Sequence, residues 1–149
     1  MQGNLNPSAR AAIAGFLPPA SVGVGTATTG WVDMRTFFAL LALINVGAFG
    51  VNGTIDAKIQ QAMDGTGAGA KDVAGSAITQ LLAAGGNNRQ VAIDIRPEDL
   101  DKNNGFKFVR LSLTVGTAAT LVSAVLMGLD PRYGTAAANQ STSVAQTVS

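Results

Sequence analysis

In the stretch TIDAKIQQA, residues 54 to 62, Ile55, Ala57 and Ile59 alternate with Asp56, Lys58 and Gln60. A two-residue period puts apolar side chains on one face and polar ones on the other, which is the signature of a half-buried β-strand. QVAIDIR repeats the pattern with Val91, Ile93 and Ile95 inward. FVRLSLTV shows it most clearly: Val109, Leu111, Leu113 and Val115 face a core while Arg110, Ser112 and Thr114 face away. The apolar stretches 37–46 and 120–128 are read as two further strands. MRTFFALLALINV has the leucine content of a helix, yet its phenylalanines, the nearby Trp31 and the glycines after Val46 favour a buried strand. A single helical turn is expected at RPEDLD, where Pro97 suits a first helical position and Glu98 and Asp99 suit its positive end.

Short strands, frequent turn residues and almost no helical periodicity predict an all-β chain, an antiparallel β-sandwich with jelly-roll-like character. The pattern divides the chain into three zones. Residues 1–30 carry scattered Pro, Gly, Ser and Thr with one apolar knot, IAGFLPPA, and read as an extended N-terminal arm. Residues 31–133 form the sandwich domain. Residues 134–149, GTAAANQSTSVAQTVS, are small and uncharged, cannot form a core alone, and read as a polar C-terminal tail.

At 149 residues the chain fits one domain, which at this size buries roughly 70% of the surface its unfolded form exposes. Cysteine and histidine are both absent. Their absence removes disulfides, the common zinc sites, the Ser-His-Asp and Cys-His nucleophile systems and the usual near-neutral general base. A net charge of +1 leaves no electrostatic footprint for nucleic acid or an anionic membrane, so protein partners are expected. The longest apolar run, FFALLALINVGAFGV, is fifteen residues and contains Asn45, short of the roughly 20 a spanning helix needs. With no basic and apolar leader at the amino terminus, synthesis in the cytoplasm is expected.

Two loops invite chemical readings. DGTGAGAKDVAG, from Asp64, has glycines at 65, 67 and 69 that resemble a phosphate cradle, but Lys71 follows Ala70 and precedes Asp72, with no helix pattern after it. The spacing also fails the dinucleotide fingerprint. A hairpin tip that uses Asp-Gly for positive φ, at a position where a partner can dock, fits better. In DLDKNNG, Asp99, Asp101 and Asn103 match the first ligands of a calcium loop, but Asn104 stands where glycine is needed and Arg110 where the closing glutamate belongs. Glu98, Asp99 and Asp101 lie too close together on one turn to flank a sugar from two sides. No catalytic, metal or cofactor site is therefore expected. Trp31 reads as a core or sheet-edge plug, and Tyr133, after the rigid exit Asp130-Pro131-Arg132, as closing the sandwich. Arg110 and Arg132 are candidate interface anchors set against an ordinary solvated role.

VNGTIDAKIQQAMDGTGAGAKDV together with FKFVRLSLTVGTAATLVSAVLMGLDPRYG resembles small virion proteins of tailed bacteriophages encoded near the major capsid protein. The likeness covers about Trp31 to Gly134 and ends on the LDPRY exit. It implies a head decoration, or cement, protein on the outer capsid surface of the virion. Such a protein ties neighbouring major capsid protein subunits together as a homo-oligomer, a trimer or dimer on the lattice. It has no enzymatic role and contacts neither nucleic acid nor membrane. The arm and tail are then expected to lie across neighbouring subunits, with Ile13, Phe16 and Leu17 as apolar anchors and with Lys71, Asp72, Arg110, Arg132 and Tyr133 as further interface candidates. The alternative readings are a virion-surface glycan-binding, lectin-like module working through loops 64–75 and 99–105, or a neck or tail structural protein. An aromatic exposed beside those loops would favour the glycan reading.

Overall fold

The computed structural model describes residues 4–148. In chain order its strands are β1 (Ala11–Val22), β2 (Gly25–Thr28), β3 (Val32–Asp33), β4 (Phe37–Phe49), β5 (Thr54–Ala62), β6 (Lys71–Ala77), β7 (Leu81–Leu82), β8 (Arg89–Ile95), β9 (Phe108–Gly116) and β10 (Thr120–Pro131). One sheet runs β1-β10-β4-β8 and the other β2-β9-β5-β6, with β3 beside β9 and β7 beside β5. All of these pairs are antiparallel. Setting aside the two-residue β3 and β7, eight strands remain, and they pair first with last, second with seventh, third with sixth and fourth with fifth. That is one long hairpin rolled up on itself so that successive strand pairs fall in alternate sheets. The result is a jelly roll.

The strand periods expected at 54–62, 89–95 and 108–116 are present, and so are the two apolar strands. Ile55, Ile59, Leu111 and Leu113 from one sheet meet Leu40, Ile44, Leu126 and Ile95 from the other, all essentially inaccessible. Each such side chain stabilises the fold by about 1.5–3 kcal/mol relative to exposure. The turn at Pro97–Asp99 forms as a 3-10 helix, closed by the Asp99 carboxylate accepting from the Arg96 N–H at 2.8 Å.

The boundary of the sandwich differs from the sequence expectation. Residues 11–22 are extended, but they do not leave the domain: β1 pairs along β10 from Ala11 opposite Leu129 to Val22 opposite Thr120. Ala12 is buried in the core, and Leu17 and Val22 pack against it. Residues 25–28 likewise pair with β9. The reason is topological, because in a rolled hairpin the first strand is the only partner available to the outer edge of the last one. The tail also stays on its own chain. The Ile13 N–H donates to Gln140 Oε1 at 2.7 Å, and the Ser141 N–H donates to the Ile13 carbonyl at 2.7 Å. The tail thereby covers part of the free edge of β1, while Pro18 and Pro19 remove donors from the rest, a usual protection of an edge strand. Residues 1–3 of the expected arm and residue 149 of the expected tail lie outside the described residues.

Candidate functional site

The outward faces of the two sheets are built differently. Outside the β2-β9-β5-β6 sheet, Arg110, Gln60 and Asp72 line up across three strands, with Lys58 and Thr114 on the same face. Arg110 Nε donates to Gln60 Oε1 at 3.0 Å and Lys58 Nζ to Asp72 Oδ2 at 2.8 Å. This face is polar and internally paired.

The other sheet breaks that rule. On β4 the alternates of buried Leu40, Ala42 and Ile44 are Leu41 and Leu43; on β10 the alternates of buried Ala124 and Leu126 are Val125 and Met127. Register places Leu41 beside Met127 and Leu43 beside Val125, and β1 adds Ile13 beside Met127 and Phe16 beside Val125. Phe16 is 40% exposed. Polar residues return at the Ser123–Asn45 pair of the two central strands and toward the β8 edge, with Gln90 beside Asn45 and Asp94 beside Leu41. An antiparallel sheet with one solvated face ordinarily alternates apolar-in with polar-out. This one carries an apolar patch on its outer side as well, around Leu41, Leu43, Val125 and Met127.

The expected interface residues therefore do not share one surface. Ile13 and Phe16 lie on the apolar outer face, whereas Leu17 packs toward the core and is not free as an anchor. Lys71, Asp72 and Arg110 lie with the opposite sheet and already have partners within the chain. Lys71 pairs with Asp101 and sits 4.3 Å from the Phe106 ring centroid, while Arg110 lies 4.5 Å from that of Trp31. Arg132 is 4.3 Å from the Phe38 ring centroid and donates to the Phe37 carbonyl at 3.4 Å. Tyr133, expected to close the sandwich, is 85% exposed. It follows the end of β10, where Asp130 is left-handed, Pro131 still pairs with Phe37 and the Arg132 N–H donates to the Thr36 carbonyl at 2.9 Å.

The glycine-rich segment is a hairpin between β5 and β6, as expected, but its positive φ values fall at Gly67 and Gly69 instead of Gly65. Its organiser is Asp64, whose carboxylate accepts from the Ala68 N–H at 3.0 Å and from the Thr66 N–H and hydroxyl at 2.9 and 2.7 Å. Those bonds, the Ala68 amide foremost, hold its carboxyl below the usual range. Asp101 is lowered chiefly by Lys71 and then by Asn104, and Asp72 chiefly by Lys58. The carboxylates of the 99–105 turn thus point to separate protein donors. Among the described residues no three His, Cys, Asp or Glu side chains gather as a metal site, and no helix is long and apolar enough to cross a membrane.

At the pole where β3 passes to β4, β8 to β9 and the chain leaves β10, a cleft of about 520 Å³ opens. Met34, Leu100 and Phe106 contribute apolar surface, and Arg35, Lys102, Lys107 and Arg132 stand around it with Tyr133. Sequence reasoning did not find this cleft, because its residues come from three separated segments and no spacing links them.

No protein-family model matches the chain, and no curated protein matches it. Among solved structures, the naturally occurring empty particle of Cowpea mosaic virus is similar at 13% identity and a TM-score of 0.45, over 82% of this chain and 84% of that one. Triatoma virus gives 9% identity and a TM-score of 0.47 over 91% and 72%. The carbohydrate-binding module TmCBM61, solved with β-1,4-galactotriose, gives 8% identity and a TM-score of 0.32 over 72% and 68%. At these identities and scores the likenesses carry no functional weight. The jelly roll itself rests on the strand order above.

Proposed function

We propose that this chain is a structural component of a virus particle, acting by contact and not by chemistry. In its finer form the reading is a decoration protein of a tailed-bacteriophage capsid. It sits on the outer surface as a homo-oligomer and ties neighbouring major capsid protein subunits together, having been made in the host cytoplasm.

The observation that carries the proposal is the apolar outer face of the β1-β10-β4-β8 sheet. Contiguous apolar surface at Phe16, Leu43, Val125, Met127 and Leu41 is costly to leave in water, at about 25 cal/mol for each Å². A soluble chain keeps such a patch where a partner covers it. The polar rim at Gln90 and Asp94 gives it the core-and-rim layout of a protein interface. Modest contacts of this kind, repeated over a lattice, gain strength through avidity.

The test is co-sedimentation with undecorated capsids, titrated to saturation, for the wild-type chain and for Leu43→Glu and Val125→Glu. Both side chains point away from the shared core, and thermal melts check that each variant is folded at the assay temperature. Saturation at a fixed ratio to capsid protein, greater heat resistance of the particles, and loss of binding in both variants are the expected results. Wild-type binding at a few copies per particle would move the chain to the neck or tail, and undiminished binding of the variants would remove this face from the contact.

One observation favours a second reading. Tyr133 stands exposed beside the 99–105 loop, the position from which a lectin-like module would stack on a sugar ring. A glycan array separates the two readings: retention of a glycan that Tyr133→Ala abolishes supports the module.

A further inference from the structure

We infer that the cleft between residues 34–35, 97–107 and 132–133 is a binding site for an acidic peptide segment, one whose carboxylates meet Lys102, Lys107 and Arg132 while an apolar side chain enters between them. The inference stands independently of the virion reading. A chain with ten Lys and Arg against nine Asp and Glu has no general excess of positive charge, so four cations around one cleft is a local arrangement.

Their pairing sharpens the point. Arg35 is held by Asp33, with Nη2 to Oδ2 at 2.6 Å and Nε to Oδ1 at 3.0 Å. Burial pushes the Asp33 carboxyl up, but the Arg35 bonds outweigh it and keep the acid below its usual range, so that pair is internally neutral. Lys102, Lys107 and Arg132 have no carboxylate within ion-pair distance among the described residues. Of the acids at the same pole, Asp99 accepts from the Arg96 N–H, Asp101 pairs with Lys71, and Asp130 faces Arg10 at 3.8 Å. Lys102 and Arg132 are thus left to a partner, and Lys107, whose charge also helps hold the Asp33 carboxyl down from outside ion-pair distance, stands with them around the cleft.

The shape of the cleft decides which anion. Its floor is apolar, with Met34 and Phe106 both nearly inaccessible, and its volume is that of a few side chains. A neutral sugar gives three cations no counter-charge. A nucleic acid strand tracks an extended basic groove, whereas these cations surround a single cleft of about 520 Å³. A short segment with two or more carboxylates around one apolar residue satisfies both floor and rim. Arg132 is already aligned for it, stacked on Phe38 and fixed by the Phe37 carbonyl, so it gives up little rotamer freedom on pairing.

The test is fluorescence anisotropy of a labelled peptide in which glutamates flank a phenylalanine, titrated with the full chain at low ionic strength. The comparison variants are Lys102→Gln/Lys107→Gln and, at the opposite pole, Arg89→Gln. The expected result is salt-sensitive binding, weakened about tenfold or more by the double substitution and unchanged by Arg89→Gln, with all three proteins melting alike. Absence of binding by the wild-type chain, or equal weakening by Arg89→Gln, overturns the site. Binding of a sulfated oligosaccharide or a single-stranded oligonucleotide in place of the peptide, sensitive to the same lysines, overturns the assignment to peptide.

Discussion

Substituting Ala12→Asp decides whether the first thirty residues are an arm or part of the roll. Ala12 is 1% exposed and stands opposite Gly128 of β10, within the shared core. If residues 1–30 lay off the domain, a carboxylate there would be solvated and silent. In the structure it is surrounded by apolar groups and must fold protonated. Protonation costs about 1.4 kcal/mol for each pH unit above the unfolded carboxyl value near 3.9, or about 4 kcal/mol at pH 7. For a chain of this length that is a fall of roughly 10–15 °C in melting temperature. The sign with pH follows: the folded-state pKa of the new acid is raised, so the penalty is full at neutral pH and shrinks as pH falls toward 4. Ser21→Asp, an exposed position on the same strand, is the control and is expected to melt as wild type. Thermal melts followed by circular dichroism at pH 7 and pH 4.5 are sufficient. An Ala12→Asp melt within about 2 °C of wild type at pH 7, several times less than the shift argued here, would refute the assignment of β1 to the core.

Three further outcomes follow from the same packing. Leu126→Ala removes a fully buried side chain of β10 between the sheets and is expected to lower stability by about 2–5 kcal/mol, readable as a lower denaturant midpoint with unchanged slope. Gly67→Ala forces a side chain into φ +93 with its Cβ 2.9 Å from Trp31 Nε1, so a loss of about 1–3 kcal/mol and a shift of the tryptophan emission are expected. Asp64, Asp72 and Asp101 have lowered folded-state pKa values, so their contribution is complete above the unfolded value near 3.9 and is lost as pH falls below it. With no histidine or cysteine to titrate, melting temperature is expected to stay flat from about pH 5 to 8 and to fall below about 4, less steeply in Asp101→Asn; a transition near pH 6.5 would contradict this.

What the sequence made legible was what repeats with a two-residue period. The strands at 54–62, 89–95 and 108–116 place apolar residues at every second position from Ile55 to Ile59, from Val91 to Ile95 and from Val109 to Val115, and each was visible. β1 was not, because its register shifts between Ile13 and Gly15 and again between Leu17 and Ala20, and each shift breaks the parity on which the signal depends. β6 hid for a related reason: only Val73 and Ser76 are buried, and Gly75 sits at positive φ between them. The cleft was illegible in principle, since Met34, Phe106 and Arg132 meet through the closure of the roll and not through any local pattern.

The apolar outer face, by contrast, was written in the sequence in a form that needed one more step. A strand covered on one side alternates; a strand covered on both sides reads as a continuous apolar run. FFALLALINV on β4 and the apolar stretch 120–128 on β10 are continuous or nearly so; both read as strands, and the first as a buried one. Within the chain they are buried on one side only, the side of Leu40, Ala42, Ile44 and Leu126. Leu41, Leu43, Val125 and Met127 contribute nothing to the internal core of the sandwich, so fold stability alone does not account for them. The opposite sheet shows the same fold accepting Lys58, Gln60 and Arg110 at the corresponding outward positions. Four apolar residues where polar ones serve equally well are most simply explained by a second surface that covers them. The glutamate substitutions at 43 and 125 therefore bear on the sequence argument as directly as on the structural one.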